Sequence, residues 1–429
     1  MVPSLVIVFF IGYLLIIFEH QVQINKTASA LCTGIICWVI LSVGGTCVET
    51  DYVSITKESH SLLDSLSHHV SGISEILFFL LGAMTIVEVI DTHNGFRIIT
   101  KRINASNLIS LIWVVCGLSF FLSAVLDNLT TTIVMVSLCR KLVSQVKPRL
   151  YLAALIVIAA NAGGAWSPIG DVTTTMLWVK GNVSTQNLIF KLFIPSLVNI
   201  LVPLFLVSAF LKNEKIEPPQ SQNSVDKVDG EIGVLILGLG GLLMVPFFKS
   251  WTHLPPYMGI LLALGIVWAS TEWIHRKKGL DKNLYTPSHA LAKIDTPSIL
   301  FFLGILLAVS ALETASVLSN FSGFLDNYLG NKNLIVFLIG LSSAVVDNVP
   351  LVAASMAMYS LAEFPMDHNF WIFLAYAAGT GGSILIIGSA AGVAAMGMEK
   401  IDFLWYMKKI SLLALAGYVA GSLCYLTLA

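Results

Sequence analysis

Two nearly identical stretches set a carboxylate beside a carboxamide in apolar surroundings. They are Ser123-Ala124-Val125-Leu126-Asp127-Asn128 and, 220 positions later, Ser343-Ala344-Val345-Val346-Asp347-Asn348. Six acids fall in or beside long apolar runs: Glu88, Asp91, Asp127, Asp171, Glu313 and Asp347. An ionised carboxylate at mid-membrane costs at least about 2.5 kcal/mol, so acids kept there point to a ligand, a partner or a proton. No Lys or Arg lies deep in those runs, which makes a bound cation or a proton the expected counter-charge. Ser123 and Ser343 precede the acids by one helical turn and so share their face, and Thr130 follows the first pair. Carboxylate, amide and hydroxyl oxygens suit a hard cation and not a soft metal. Capping at a hairpin tip is the plain structural alternative for both acids; the recurrence of the acid in both copies argues for more.

A second element carries chemistry. Asn161-Ala162-Gly163-Gly164-Ala165-Trp166-Ser167-Pro168-Ile169-Gly170-Asp171-Val172-Thr173-Thr174 puts four helix breakers inside an apolar span. Unwound backbone is tolerated at that depth only beside protein or a wet cavity. Asp171, Thr173 and Thr174 then stand at the start of a second half-helix. The counterpart from Gly379 to Gly392 keeps the glycines but has Ser389 where the first has Asp171. The two halves are therefore unequal, and the site is expected to lean on the first.

These groups need positioning by a membrane fold. Of 429 residues, 56% are hydrophobic and 11% charged, and the mean hydropathy is +0.84. So few charges cannot cover a water-facing surface, since soluble proteins are about a quarter charged. Many runs have the ~20 residues a helix needs to cross hydrocarbon. An all-α polytopic membrane protein follows, and the absence of ten-residue alternating segments argues against a β-barrel. Val2 to Phe18 lacks a basic leader and reads as an uncleaved helix. The six cysteines form no Cys-x-x-Cys pair, so no redox or metal site is expected. No basic-aromatic tract suggests nucleic acid, and no Walker-type phosphate loop suggests ATP. The chain reads as a non-enzyme without a cofactor. The polar stretch 51–74, with His60, His68 and His69, reads as a loop with a surface helix.

The chain repeats. Residues 75–80 match 298–303, the two Asp-Asn stretches match, and the Gly-Gly elements at 163 and 381 match in the same order. The polar, proline-paired stretch 212–230 is the expected linker, between a first repeat at 1–211 and a second at 231–429. Hairpins are expected at 107–140 and 334–362, and broken helices at 150–180 and 370–398. Their short arms favour re-entrant hairpins over full crossings. Basic residues flank the first hairpin (Arg97, Lys101, Arg102; Arg140, Lys141, Lys147, Arg149), and 275–293 and 399–409 are also basic. Asp326, Lys332, Glu363, Asp367 and His368 flank the second. The positive-inside rule then places the hairpins on opposite sides, inverts the two repeats and puts the N-terminus outside. Inverted repeats with broken helices are a signature of secondary transporters. Glu88, Asp91 and Glu313 precede the hairpins and are candidate proton relays.

At 123–132, 161–174, 346–351 and 379–383 the chain resembles the NhaD-type sodium/proton antiporters, part of a wider ion-transporter superfamily. The resemblance implies a bacterial inner-membrane antiporter exchanging cytoplasmic Na+ or Li+ for external H+, in the service of pH and sodium homeostasis, commonly as a homodimer. Carried over residue by residue, it implies a cation site of Asp127, Asn128, Asp171, Thr173, Asp347 and Asn348. Ser123, Thr130, Asn161, Thr174, Ser343 and Ser389 would support it. Symporter relatives that hold carboxylate substrates carry Ser-Asn-Thr at the hairpin tips. Asp at both tips here would repel an anion. The alternative is an anion or metalloid carrier on the same scaffold. The expected mechanism is competition, in which Na+ and H+ share Asp127, Asp171 and Asp347 and alternating access carries them across.

Overall fold

The computed structural model of this protein describes residues 1–45, 62–96, 107–211, 230–276 and 285–428. Arg97, Lys101, Arg102, Lys277, Lys278, Lys282, Cys47, His60 and nearly all of the linker 212–230 lie outside them. The described residues form helices and no strands. Nine of the helices are long and apolar enough to cross a membrane. The protein is a multi-pass membrane protein.

In chain order the helices begin with α1 (Val2–Ile17), α2 (Glu19–Val22), α3 (Lys26–Gly45) and α4 (Leu62–Thr92). The first hairpin is α5 (Leu108–Leu126) and α6 (Asn128–Leu142). The first broken helix is α7 (Val146–Gly164) and α8 (Val172–Val179), followed by α9 (Thr185–Phe210). Then come α10 (Glu231–Thr252), α11 (Pro256–His275), α12 (Pro287–Lys293), α13 (Thr296–Thr314) and α14 (Val317–Leu329). The second hairpin is α15 (Lys332–Ser342) and α16 (Asn348–Met358), and the second broken helix is α17 (Asn369–Gly381) and α18 (Ala390–Glu399). The chain closes with α19 (Phe403–Lys409) and α20 (Ser411–Leu428).

Caps written in the sequence start most of these elements. Asn107, Asp127, Asp171, Ser184, Asp295, Asn331, Asp347 and Ser389 each accept from a backbone N–H of the turn they begin. Such a cap satisfies one of the four N–H groups that a helix start leaves without a partner.

Three sequence expectations change. Residues 62–74 are not a separate surface helix; they are the first turns of the 31-residue α4, on which His68 is exposed and His69 half-buried. The first hairpin's leading arm, α5, has 19 residues, long enough to cross, whereas α15 and α16 have 11 each. The amphipathic α14 was not read from the sequence at all, because its 13 residues alternate too many polar groups to register as an apolar span.

Elements that match in sequence match in local geometry. Ser123 Oγ donates to the Ala160 carbonyl at 2.6 Å, and Ser343 Oγ to the Ala378 carbonyl at 3.0 Å. Asp171 and Ser389 cap their half-helices from the same backbone conformation, φ −146° with ψ 148° and 153°. A Cβ on Gly163 would collide with the Phe120 backbone, and one on Gly381 with the Gly340 backbone. Glycine at those positions therefore lets each hairpin lie directly on its broken helix. Counterparts also meet each other: α4 packs on α13, α7 on α17, and α9 on α20. Each returning hairpin arm packs on the broken helix of its own half and on the second half-helix of the other, α6 on α18 and α16 on α8. That exchange brings both breaks to one place.

Candidate functional site

The centre of that place is Asp171, 2% exposed, at the N-cap of α8. Its Oδ1 accepts from the Thr173 backbone N–H at 3.1 Å. Its Oδ2 accepts from Asn128 Nδ2 at 3.0 Å and from Asn348 Nδ2 at 3.3 Å. The amide neighbours of the two motif acids, and not the acids themselves, thus converge on it. Asn128 Nδ2 also donates to Asn161 Oδ1 at 3.0 Å. Asn161 Nδ2 in turn donates to Ser383 Oγ and Ser389 Oγ, both at 2.9 Å. The result is one continuous polar chain from both hairpin tips through both breaks, built from buried residues. A buried network of this kind fixes a unique arrangement only when its members are satisfied.

Two hydroxyl oxygens in the first turns of the hairpin arm α6 have no hydrogen-bond partner among the described residues: Thr131 Oγ1 and Thr132 Oγ1, both buried. Buried oxygens without partners are rare and call for a water or an ion. Thr174 Oγ1 does not point to a ligand; it donates to the Asp171 carbonyl at 2.9 Å.

The two motif acids sit in different environments. Asp127 has φ +107°, a conformation that side-chain-bearing residues seldom adopt, and its carboxylate turns back onto its own helix. Oδ1 accepts from the Thr130 N–H at 2.7 Å and Oδ2 from Thr130 Oγ1 at 2.9 Å. Asp347 has an ordinary φ of −51° and accepts only loosely from the Val349 N–H, at 3.3 Å. Its Oδ2 lies 3.6 Å from Lys26 Nζ. Ser123 and Ser343 act as tethers between hairpin and broken helix, not as site groups.

Three of the intramembrane acids, Asp347, Glu88 and Glu313, have basic side chains nearby that the sequence did not announce, while Asp127 and Asp171 are held by neutral donors. The partners come from the ends of neighbouring elements, where a long side chain reaches inward from an interface position. Besides Lys26, Lys293 Nζ approaches Glu88 Oε1 at 3.8 Å, and His69 Nδ1 approaches Glu313 Oε2 at 4.0 Å. Glu88 and His69 stand 19 residues apart on α4, about 28 Å. Glu88, with Asp91 beside it, and Glu313 accordingly occupy opposite ends of the bundle, and the structure does not bring them to Asp171.

Sequence reasoning missed Lys26 and Glu399, and it placed Ser383, Thr131 and Thr132 in motifs without giving them a part in the site. Glu399, at the end of α18, is fully buried and held by Arg140 Nε at 2.7 Å and Arg149 Nε at 2.6 Å. In the sequence Arg140 and Arg149 mark only the basic flank of the first hairpin. Ser383 could have been found as the hydroxyl directly after Gly381-Gly382; nothing local marks Glu399.

A cavity of about 360 Å³ lies between α4, α8, α13 and α16. His69, Lys180, Glu313 and Tyr359 give it a polar end, and Ile76, Met176, Leu306 and Ala353 an apolar one. Met176 is five residues along α8 from Asp171 and Ala353 six along α16 from Asp347, so about 8–9 Å of helix separates the cavity from the acids.

Comparison with known proteins fits this geometry. The profile of the citrate transporter family CitMHS matches residues 13–368. Sodium/proton antiporter 1 of Arabidopsis thaliana is 50% identical over 99% of this chain and 72% of its own length. Sodium/proton antiporter 2 of the same plant is 48% identical over 98% of both chains. The Na(+)/H(+) antiporter NhaD of Alkalimonas amylolytica is 30% identical over 98% of this chain and 89% of its own. The crystal structure of the YdaH transporter of Alcanivorax borkumensis superposes with a TM-score of 0.60 at 13% identity, covering 94% of this chain and 98% of that one. That likeness bears on the fold alone.

Proposed function

This chain belongs to the NhaD-type sodium/proton antiporter family, and we propose that it exchanges Na+, or Li+, for H+ across its membrane through the Asp171 cluster. The observation that carries the reading is the buried Asp171 carboxylate, shared by the Asn128 and Asn348 amides and accompanied by hydroxyl oxygens without partners. Such a set offers a hard cation oxygen ligands and one negative charge. The same carboxylate can take a proton instead, and a group that holds either ion but not both couples the two fluxes without ATP.

Asp127, Asn128, Asp171 and Thr173 are the proposed cation site, and Asp347 with Asn348 completes or gates it from the second half. Thr130 and Asn161 orient them. The two halves, 1–211 and 231–429, are proposed to be inverted in the membrane, with the N-terminus outside, and to move against each other so that the site faces each side in turn. The cavity on the Glu313 side supports that reading, since its apolar end stops short of the acids. Cytoplasmic sodium would leave as external protons enter, and a homodimer is the proposed assembly. A bacterial inner membrane accords with the relatives from Alkalimonas amylolytica and Vibrio cholerae, while the two relatives from Arabidopsis thaliana are more similar.

The description of the family as citrate transporters supports a second reading, an anion carrier on this scaffold. Asp171, flanked by Asp127 and Asp347, would repel an anionic substrate. One experiment separates the two. In everted vesicles holding an imposed pH gradient, added Na+ or Li+ should dissipate the gradient, and Asp171→Asn should abolish the response. Dissipation driven by citrate or another anion, with Na+ inert, would sink the antiporter reading.

A further inference from the structure

The first position of α3 carries a charge of the wrong sign. A helix N-terminus repels cations by up to about 1 kcal/mol, yet Lys26 stands there, and the acid that meets this N-terminus, Glu19, comes from α2 and not from α3 itself. The position is also firmly held. The Lys26 backbone N–H donates to Glu19 Oε1 at 3.1 Å, and the Thr27 hydroxyl ties the same turn to the Pro297 carbonyl at 3.0 Å. The side chain crosses the Phe301 ring, with Nζ 4.7 Å from its centroid, and ends 3.6 Å from Asp347 Oδ2. The two side chains are 25% and 16% exposed, so the pair is mostly withdrawn from solvent. Among the described residues, the one hydrogen bond to the Asp347 carboxylate is the loose one from the Val349 N–H.

We propose that Lys26 is the resident counter-ion of Asp347, an internal ammonium that Na+ displaces when the second half engages the transported ion. The proposal rests on the antiporter reading. It explains why the twin acids differ: Asp127 is saturated by Thr130, while Asp347 is left free to exchange one cation for another. It also explains the residue type. An ammonium is a compact point charge with no fixed fork, so it can leave a carboxylate that a guanidinium would grip in two places. Lys26 is a positioning residue here, acting on Na+ only through Asp347.

The test is Na+-driven proton release from proteoliposomes at fixed pH, with wild type, Lys26→Gln and Lys26→Arg. Removing the competing charge should lower the half-saturating Na+ concentration in Lys26→Gln by about threefold to fivefold, the range for a partly exposed pair. Lys26→Arg should raise it. A packing role would instead lower the maximal rate or the yield in both variants and leave half-saturation alone. A second measurement needs no variant: amine labelling of Lys26 in the wild-type protein, read by mass spectrometry, should rise with Na+ and not with choline. Either unchanged half-saturation in a folded Lys26→Gln or Na+-independent labelling overturns the proposal. If Lys26→Gln does not fold, the labelling decides alone. A wild-type protein that ignores Na+ altogether would instead count against the antiporter reading.

Discussion

The side-chain amides of Asn128 and Asn348 donate to the same atom, Asp171 Oδ2, at 3.0 and 3.3 Å. Two copies of one motif, 220 positions apart, therefore meet on a carboxylate that belongs to neither. Whatever Asp171 binds is sensed by both hairpins at once.

Asp171→Asn should reduce Na+-dependent proton movement to the vesicle background. Asparagine fills the same volume but offers no charge to a cation and no carboxyl to a proton. Size-exclusion profiles should stay close to wild type, because the loss is of ion binding and not of packing. An active Asp171→Asn protein would move the essential carboxylate elsewhere, to Asp127 or Asp347.

Asn128→Ala and Asn348→Ala should both weaken Na+ use. Each removes a hydrogen bond to a charged group, worth about 1.5–3 kcal/mol, which is about tenfold or more in half-saturation. Asn128→Ala should be the worse, because Asn128 also holds Asn161. Kinetics in proteoliposomes would read the order, and the reverse order would show that the link to Asn161 carries no weight.

Acidification should raise the half-saturating Na+ concentration by at most about tenfold per pH unit, with the maximal rate at saturating Na+ unchanged. The sign follows from shared occupancy: a proton on the carboxylate removes the form that Na+ needs, so the loss grows as pH falls. A maximal rate that changes with pH at constant half-saturation would mean that the two ions use separate groups.

Glu399→Ala should cost about 3 kcal/mol of stability, the lower end for breaking a buried ion pair, since Arg140 is half exposed. The two arginines would be left facing each other without an anion between α6, α7 and α18. Thermal unfolding in detergent would show the drop, and an unchanged midpoint would demote the clamp to a surface contact.

Much of this could be read from the chain. Eleven per cent charge in 429 residues allowed only a membrane fold. The two Asp-Asn stretches and the Gly-Gly breaks marked the hairpins and the broken helices, because a polar pair or a helix breaker inside an apolar span is costly and must be placed deliberately. Capping by Asp127 and Asp347 stood in the sequence only as the plain alternative, and the structure shows both acids, like Asp171 and Ser389, starting a helix. The difference between Asp127 and Asp347 was not legible: both sit in near-identical hexapeptides, and what separates them is a φ of +107° against −51° and the arrival of Lys26 from α3.

The sequence by itself determined the class of fold, the duplication, the breaks and the residue types able to meet a hard cation, because each is set by hydrophobic run length or by backbone preference within a few residues. Only the tertiary structure decided which of those residues meet. The exchange of partners between halves, α6 on α18 and α16 on α8, makes Asp171 the centre, turns the motif amides and not the motif acids towards it, and sends Glu88 and Glu313 to opposite ends. Even the nearer of those contacts, Asn128 to Asp171, spans 43 positions and the farther, Asn348 to Asp171, spans 177, where no local preference acts and only packing geometry chooses.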